Sequence, residues 1–143
     1  MSKHLLLPAV VLVLWSLLML AWVVVTRMPA LKAKGINVNT AIGGKGGDLD
    51  GVLDAKIMWP AHNYNHLMEQ PTLFYATIAA LAIMGAATTI NIYLAWGYVV
   101  LRIAHSLVQA TYNKIMHRFP IFSLATAVLL WLAVNALLEA IKA

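Results

Sequence analysis

Two apolar stretches of this sequence carry polar and ionisable side chains at helical spacing. Residues of these types can bind a ligand or take part in catalysis. In the first stretch the set is His62, Asn65, His66 and Glu69. In the second stretch the set is Arg102, His105, Ser106, Gln109 and Asn113, with Tyr112 beside it. Residues three and four positions apart share one face of an α-helix. Ionisable residues inside a membrane-spanning helix are rare and usually functional.

Glu69 and Arg102 are expected to lie at similar depth. Glu69 follows the predicted start of its helix by about 12 residues, roughly 18 Å, and Arg102 precedes the end of its helix by about 10 residues, roughly 15 Å. Each is the other's only partner of opposite charge in these stretches, and a buried charge is tolerated when it is paired. We therefore predict a Glu69–Arg102 ion pair, within one chain or between chains. Pro71 is expected to free the carbonyl of Leu67 and to bend the helix.

Positive charge surrounds the mouth above this pair. The residues concerned are Arg118, Lys114, His105 and Arg27. A partly dry, cationic recess attracts an anionic small molecule, and the guanidinium group holds carboxylates in a fixed geometry. The sequence therefore indicates a recess for a small anion.

Structural interpretations of the same residues stay open. Polar faces also join membrane helices by hydrogen bonds, and for His62 and His66 this role or solvation at the membrane surface fits at least as well as ligand binding. Arg118 equally suits a loop charge that sets membrane orientation. His62, His66 and Glu69 have a spacing compatible with metal ligands. No His-Glu-x-x-His motif or cysteine accompanies them, so we predict no metal site.

The composition places these polar faces in a bilayer. Hydrophobic residues make up 62% of the 143 residues and charged residues 10%, whereas about a quarter of the residues in soluble domains are charged. A chain this short could not bury so much apolar surface. We therefore predict an all-α membrane protein, a bundle of four transmembrane helices in a single domain, 1–143. The helices are expected at about residues 5–26, 57–87, 90–112 and 119–138.

Charge and turn residues define how the helices connect. Residues 27–56 form the long loop, and Pro60 and Pro120 are placed in the first turns of the second and fourth helices. The first and third loops hold seven Lys and Arg residues and the other side holds two, so the first and third loops are predicted to be cytoplasmic. Topology thus explains the basic charge, and we predict no nucleic-acid partner. A chain without cysteine has neither disulfides nor a cysteine nucleophile.

Two motifs resemble those of the MAPEG family, the membrane-associated proteins in eicosanoid and glutathione metabolism. The segment from His62 to Phe74, His-Asn-Tyr-Asn-His-Leu-Met-Glu-Gln-Pro-Thr-Leu-Phe, is similar to the family's Asn…Glu…Pro-Phe signature on helix 2. Arg102-Ile103-Ala104-His105 resembles the Arg-x-x-His motif of helix 3, and Arg118 resembles the arginine at the start of helix 4. The resemblance extends over almost the whole chain, and the pattern is most similar to short bacterial members.

This resemblance implies a homotrimer in the bacterial inner membrane that binds glutathione between adjacent subunits. Arg118 would hold the glutathione thiol as a thiolate and act as the catalytic residue. By the same resemblance the remaining contacts to the cofactor would come from Arg27, Asn65, Glu69, Arg102 and His105. Gln109 stands where prostaglandin E synthase relatives carry tyrosine, and Tyr112, one turn away, has a hydroxyl, so both are included as cofactor-binding candidates.

Some positions depart from the glutathione-using relatives. Tyr64 replaces an arginine before the helix 2 asparagine, and Gln109 and Phe122 replace tyrosines, which argues against prostaglandin or leukotriene synthesis. The first hypothesis is a glutathione-dependent membrane transferase or peroxidase that acts on hydrophobic small molecules dissolved in the lipid. The alternative is a non-catalytic MAPEG-fold protein that binds a lipid or a protein partner. A transporter or channel component has less support, because no broken-helix signal is present.

Overall fold

The computed structural model describes residues 2–142 as a four-helix bundle. The helices are α1 (Ser2–Ala33), α2 (Ala55–Ile83), α3 (Thr89–Thr111) and α4 (Ile115–Ala140), with a short 3-10 helix at Gly46–Leu49 in the long loop. Helices α2 and α3 form the centre: α1 packs against both of them, and α4 packs against both from the other side. The predicted four-helix, all-α architecture is confirmed.

The core follows from apolar residues seven positions apart, which return to the same face of a helix every two turns. On α1 the fully buried series is Leu5, Leu12 and Met19, and on α2 it is Leu67, Phe74 and Leu81. Between α2 and α3, the ring of Phe74 stacks on Tyr98 with centroids 4.4 Å apart. These rows of side chains bring α2 and α3 close enough for their polar faces to meet.

A buried hydrogen-bond node ties three helices together. Ser106 Oγ on α3 accepts from Trp15 Nε1 on α1 at 2.9 Å and from Asn63 Nδ2 on α2 at 2.6 Å. Hydrogen bonds between helices of this kind are used in place of a hydrophobic driving force where the surroundings are lipid. The node fixes the position of α2 along α3 and thereby the height of the residues that follow Asn63.

The outer helices present apolar surface. The segments Lys3–Ala33 and Ile115–Ala140 are, by length and composition, long and apolar enough to cross a membrane. Much of that surface is exposed, as at Leu14, Leu17 and Leu130. Among the helices of residues 2–142, α2 and α3 are less apolar than α1 and α4, because they carry the polar side chains.

The end of α1 differs from the prediction. The helix continues from Thr26 to Ala33 and so includes Arg27 and Pro29. A proline removes one backbone hydrogen bond and crowds the carbonyl four residues earlier, yet here the helix persists past it. Its last turns gain support from Leu31, which packs on Leu53 and Met58 of the loop and α2. Arg27 is therefore a helical residue and not a loop residue.

The predicted positions of two prolines are wrong. Helix α2 begins at Ala55 and α4 at Ile115, so Pro60 and Pro120 lie inside their helices and not in the first turns. The reason at α4 is the tight turn before it, where Asn113 adopts a left-handed conformation with φ 50°, which asparagine tolerates better than most residues. The chain reverses there early enough for α4 to begin one turn before the predicted start.

Candidate functional site

A recess of about 240 Å³ opens between α2, α3 and the start of α4. Its polar lining consists of His66, His105, Gln109 and Arg118, and its apolar lining of Ile115, Phe119 and Phe122. These polar residues come from three helices: His66 from α2, His105 and Gln109 from one face of α3, and Arg118 from the first turn of α4. The aromatic residues come from the first two turns of α4, which start where the Asn113 turn ends. The recess thus has a cationic and a hydrophobic side.

Arg102 lies behind this lining and is completely buried. Its Nη2 donates to the backbone carbonyl of His66 at 2.9 Å. A carbonyl oxygen has two lone pairs, so the His66 carbonyl can accept from a side chain beside its helix bond. The predicted effect of Pro71 falls on the next carbonyl, that of Leu67, and stays a prediction.

Two imidazole rings meet at the recess. The rings of His66 and His105 have centroids 4.9 Å apart, and Phe122 lies 5.3 Å from His66 and 5.9 Å from His105. The guanidinium carbon of Arg102 is 5.9 Å from the Phe122 centroid, within the range at which a cation is attracted to an aromatic face. This packing holds the two imidazoles against each other.

The arginines of the site have no carboxylate partners in the described part of the chain. The ion pairs there join His62 to Asp50, His66 to Glu69 and Lys142 to Glu139. Buried charges are normally paired or otherwise compensated. Arg102, inside the bundle, is compensated in part by the His66 carbonyl. Arg102 and the half-buried Arg118 both lack a carboxylate partner among residues 2–142.

Polar atoms beside the recess are also without hydrogen-bond partners within residues 2–142. They are His66 Nδ1, Arg102 Nε and Nη1, His105 Nδ1, Gln109 Oε1 and Asn113 Oδ1. Four of these residues lie along one side of α3 and the turn after it, at spacings of three and four. Buried polar groups are nearly always hydrogen-bonded, and a native protein leaves only a few unpaired per hundred residues. This column of atoms requires a polar partner, either water or a ligand.

The Glu69–Arg102 ion pair is wrong for a single chain. Glu69 lies on the exposed side of α2, with its Oε2 3.8 Å from His66 Nε2, whereas Arg102 turns inward to the α2 backbone. The polar face of α2 is wide, and the bundle buries only the edge that contains His66. A pair between Glu69 of one chain and Arg102 of another stays a prediction.

Of the predicted cofactor-binding residues, some lie away from the recess in this subunit. Asn65 is exposed on α2. Arg27 lies against the long loop, where a Cβ added to Gly46 would stand 3.2 Å from Arg27 Nη1. The Tyr112 hydroxyl lies 3.4 Å from His117 Nδ1 and its side chain is exposed. The structure therefore gathers His105, Gln109 and Arg118 at the recess, with Arg102 and Glu69 in contact with His66.

His66, Phe119 and Phe122 line the recess but were not among the predicted catalytic and cofactor-binding residues. His66 shares the polar face of α2, but nothing in its spacing distinguishes it from His62, which instead contacts Asp50 of the loop at 2.7 Å. Phe122 follows Arg118 by four residues, so the two share a face of α4, and Phe119 is the next residue in the chain after Arg118. That proximity to Arg118 was the available signal.

A larger cavity of about 610 Å³ lies elsewhere, between residues 28 and 39 at the end of α1. One continuous segment forms its lining, which contains a single ionisable side chain, Lys32. It brings together no residues from separate elements. The smaller recess is therefore the better candidate for chemistry. Residues 2–142 contain no cluster of three or more His, Asp and Glu residues that could hold a metal ion.

Comparison with known families agrees with this geometry. A sequence model of the MAPEG family matches residues 5–138. The chain belongs to the MAPEG family. At the level of the family it is a membrane protein related to glutathione and eicosanoid metabolism, and MAPEG members generally use glutathione as a substrate or cofactor. No match to the chain was found among curated proteins or solved structures.

The recess has the chemistry that glutathione requires. Glutathione is an anionic peptide with two carboxylates, amide groups and a thiol. The unpartnered nitrogen and oxygen atoms along α3 offer both donors and acceptors to such a molecule. Arg102 and Arg118, which have no carboxylate partner among residues 2–142, favour an anion. The residues present therefore fit the MAPEG cofactor.

Proposed function

We propose that this MAPEG protein is a glutathione-dependent membrane transferase or peroxidase acting on hydrophobic electrophiles. One observation carries the proposal: a column of unpartnered buried polar atoms along α3 leads to a recess lined by Arg118. If these groups served only to join the helices, they would form hydrogen bonds with one another across the helix interfaces. A polar, anionic ligand satisfies both the hydrogen-bonding groups and the charge.

Arg118 has the central role in this proposal. Glutathione supplies the thiol that this cysteine-free chain lacks. A cation beside a thiol favours its charged form and lowers its pKa, which increases the fraction of reactive thiolate. Arg118 holds that thiolate, and His105 and Gln109 bind the peptide groups near it. The phenylalanines of α4 provide an apolar surface for an electrophile that arrives from the lipid.

The recess is small for a whole tripeptide and its substrate. Its volume of about 240 Å³ is below the range of roughly 300–1,000 Å³ that is typical for ligand pockets. We propose that a neighbouring copy supplies the remaining walls in a homotrimer. Asn65 and Glu69 are exposed on α2, where they can complete the binding surface against a neighbour. Arg27 and Tyr112 are proposed to contact the cofactor from the same end of the bundle.

The proposed location is a bacterial inner membrane, which all four helices cross. Exposed charges such as Glu69 are costly in lipid, so α2 and α3 are expected in the interior of the trimer. Their lower apolarity is then compatible with spanning the bilayer. The basic residues of the first and third loops support a cytoplasmic position for the open end of the recess.

A non-catalytic role is the second candidate, and the position of Asn65 favours it. Asn65, Arg27 and Tyr112 do not line the recess of the single subunit. If no neighbouring subunit brings them to the cofactor, the fold would bind a lipid or a protein partner through the same face. The two candidates differ in glutathione-dependent turnover.

The test is an activity measurement on protein reconstituted in liposomes. Chlorodinitrobenzene reports transfer and cumene hydroperoxide reports peroxidase activity, each with and without glutathione. We expect glutathione-dependent turnover that Arg118→Ala reduces by about tenfold or more, as a rise of about one unit in the pKa of the thiol would do. The matched control is Lys142→Ala, which removes one positive charge that pairs with Glu139 at the other end of the bundle. Absence of turnover with both reagents in folded protein would favour the non-catalytic candidate.

A further inference from the structure

His66 has no role in the function proposed above, yet its surroundings are those of a histidine that acts as a catalytic base. Its ring lines the recess together with Arg118. Its Nε2 lies 3.8 Å from the Glu69 carboxylate. Its Nδ1 is buried and has no hydrogen-bond partner within residues 2–142. A carboxylate beside one nitrogen of an imidazole, with the other nitrogen unpartnered, is the arrangement in which histidine acts as a base towards a nucleophile.

We propose that His66 is a catalytic base that accepts the thiol proton of glutathione, with Glu69 as the positioning residue behind it. This inference rests on the proposed glutathione site and names a proton acceptor within it. Arg118 stabilises the sulfur anion but cannot take its proton, because a guanidinium is always protonated in proteins. Ionisation of the thiol beside Arg118 therefore needs a second group, a base that accepts the proton.

The choice of His66 over His105 follows from charge. Both rings are close to positive groups: Arg102 and His105 face His66 from α3, and Arg118 faces it from α4. The amide of Gln109 also faces the His66 ring. An imidazolium between two arginines requires a counter-charge. Glu69 offers one to His66, whereas within residues 2–142 His105 has no carboxylate within ion-pair distance.

The proton balance of the step is simple. The S–H bond breaks, its electron pair stays on sulfur beside Arg118, and the proton passes to His66 Nδ1. When the sulfur adds to an unsaturated carbonyl compound, the S–C bond forms and the electron pair of the C=C bond moves to the neighbouring carbon. His66 then returns its proton to that carbon. Addition consumes no other reactant, so the site suits electrophiles that accept sulfur by addition.

Proton release on binding separates this proposal from the proposed function. Reduced glutathione is titrated into the detergent-purified full chain by calorimetry, in buffers of different ionisation enthalpy near neutral pH. The buffer dependence gives the protons released, and ultraviolet absorbance gives the thiolate formed. The unmodified protein is expected to form thiolate and release almost no proton, because His66 retains it. In His66→Gln, either about one proton is released per thiolate formed or the thiolate is lost.

Matched variants make the experiment decisive. His62→Gln removes an imidazole of the same helix that contacts Asp50, and it should keep the proton count of the unmodified protein. The Glu69 side chain is exposed, so the Glu69→Gln protein should fold even if the His66→Gln protein does not. Glu69→Gln should increase the number of protons released on binding. Full proton release by the unmodified protein, binding without thiolate, or unchanged retention in His66→Gln or Glu69→Gln would overturn the proposal. Absence of binding would overturn the proposed function and this inference together.

Discussion

At the scale of single residues, the site consists of two arginines that have no carboxylate partner among residues 2–142 and of two imidazoles that contact one another. Arg102 is fixed by the His66 carbonyl and is completely buried, so it contributes charge from behind the recess. Arg118 lies at the opening, where it can meet a ligand directly. We therefore expect Arg118 to contact a bound anion directly and Arg102 to act on it through longer-range electrostatics.

Arg118→Ala is predicted to raise the pKa of the bound glutathione thiol by about one unit or more, the effect expected on removing an adjacent opposite charge. Thiolate absorbance as a function of pH, measured with saturating glutathione, tests this. The group that titrates is the thiol, so its reactive form is lost as pH falls and the loss should begin at higher pH in the variant. An unchanged titration would exclude Arg118 as the residue that holds the thiolate.

At the scale of helices, the Ser106 node places α2 against α3. Trp15, Asn63 and Ser106 join three helices at one point. This contact fixes the position of α2 along α3, so that the polar faces of the two helices lie at the same level. Turns then set where each helix can start. Gly85 between α2 and α3 has φ 71°, a conformation that residues with a Cβ adopt at a cost.

Ser106→Ala is predicted to destabilise the protein by about 1–3 kcal/mol, since it leaves buried donors on Trp15 and Asn63 unpaired. Unfolding in detergent with increasing dodecyl sulfate measures the change. The matched control is Ser123→Ala, because Ser123 bonds only to the Phe119 carbonyl on the exposed side of its own helix. Its effect should stay within about 0.5 kcal/mol. Equal stability of the two variants would mean that the node does not hold the helices.

Gly85→Ala is predicted to cost about 1–2 kcal/mol, because alanine is strained in the left-handed conformation. Gly97→Ala in α3 is the comparison: a Cβ there meets no atom within 4 Å in the subunit, and alanine favours helix by roughly 0.5–1 kcal/mol. The same unfolding measurement should therefore move the two variants in opposite directions. A loss of stability confined to Gly97→Ala would contradict the assigned turn.

At the scale of the whole molecule, the exposed apolar surface favours insertion into a membrane, and the basic loops favour one orientation across it. Helices α1 and α4 carry exposed apolar side chains along much of their length, which suits contact with lipid. The long loop packs on the bundle through Leu53 and Met58 and through the contact of Asp50 with His62. The recess lies towards the end of the bundle at which α3 ends and α4 begins. The first and third loops connect the helices at this same end.

Membrane orientation is testable because the chain contains no cysteine. Lys45→Cys in the first loop and Lys142→Cys near the carboxyl terminus each introduce one thiol. With a maleimide that does not cross membranes, we expect Lys142→Cys to react in intact cells and Lys45→Cys only in inverted vesicles. The unmodified chain serves as the unlabelled control. The reverse pattern would place the recess on the outer side.

The sequence predicted the helices well and the inward face of α2 poorly. Long apolar runs separated by Gly85 and by the residues before Pro120 determine where helices form, so four helices were correctly predicted. The continuation of α1 past Pro29 was missed because it depends on Leu31 packing against distant residues. Spacing shows that His66 and Glu69 share a face, but the packing of α2 on α3 decides which edge is buried. The contacts of Arg102 and His66 follow from that packing.

We propose that glutathione binds in the recess beside Arg118. Calorimetric titration of glutathione into detergent-purified protein, with Arg118→Ala titrated alongside, tests this proposal. We expect saturable binding by the unmodified chain and clearly weaker binding by the variant. No binding by the unmodified, folded protein would contradict it, and equal binding by both proteins would place the site away from Arg118.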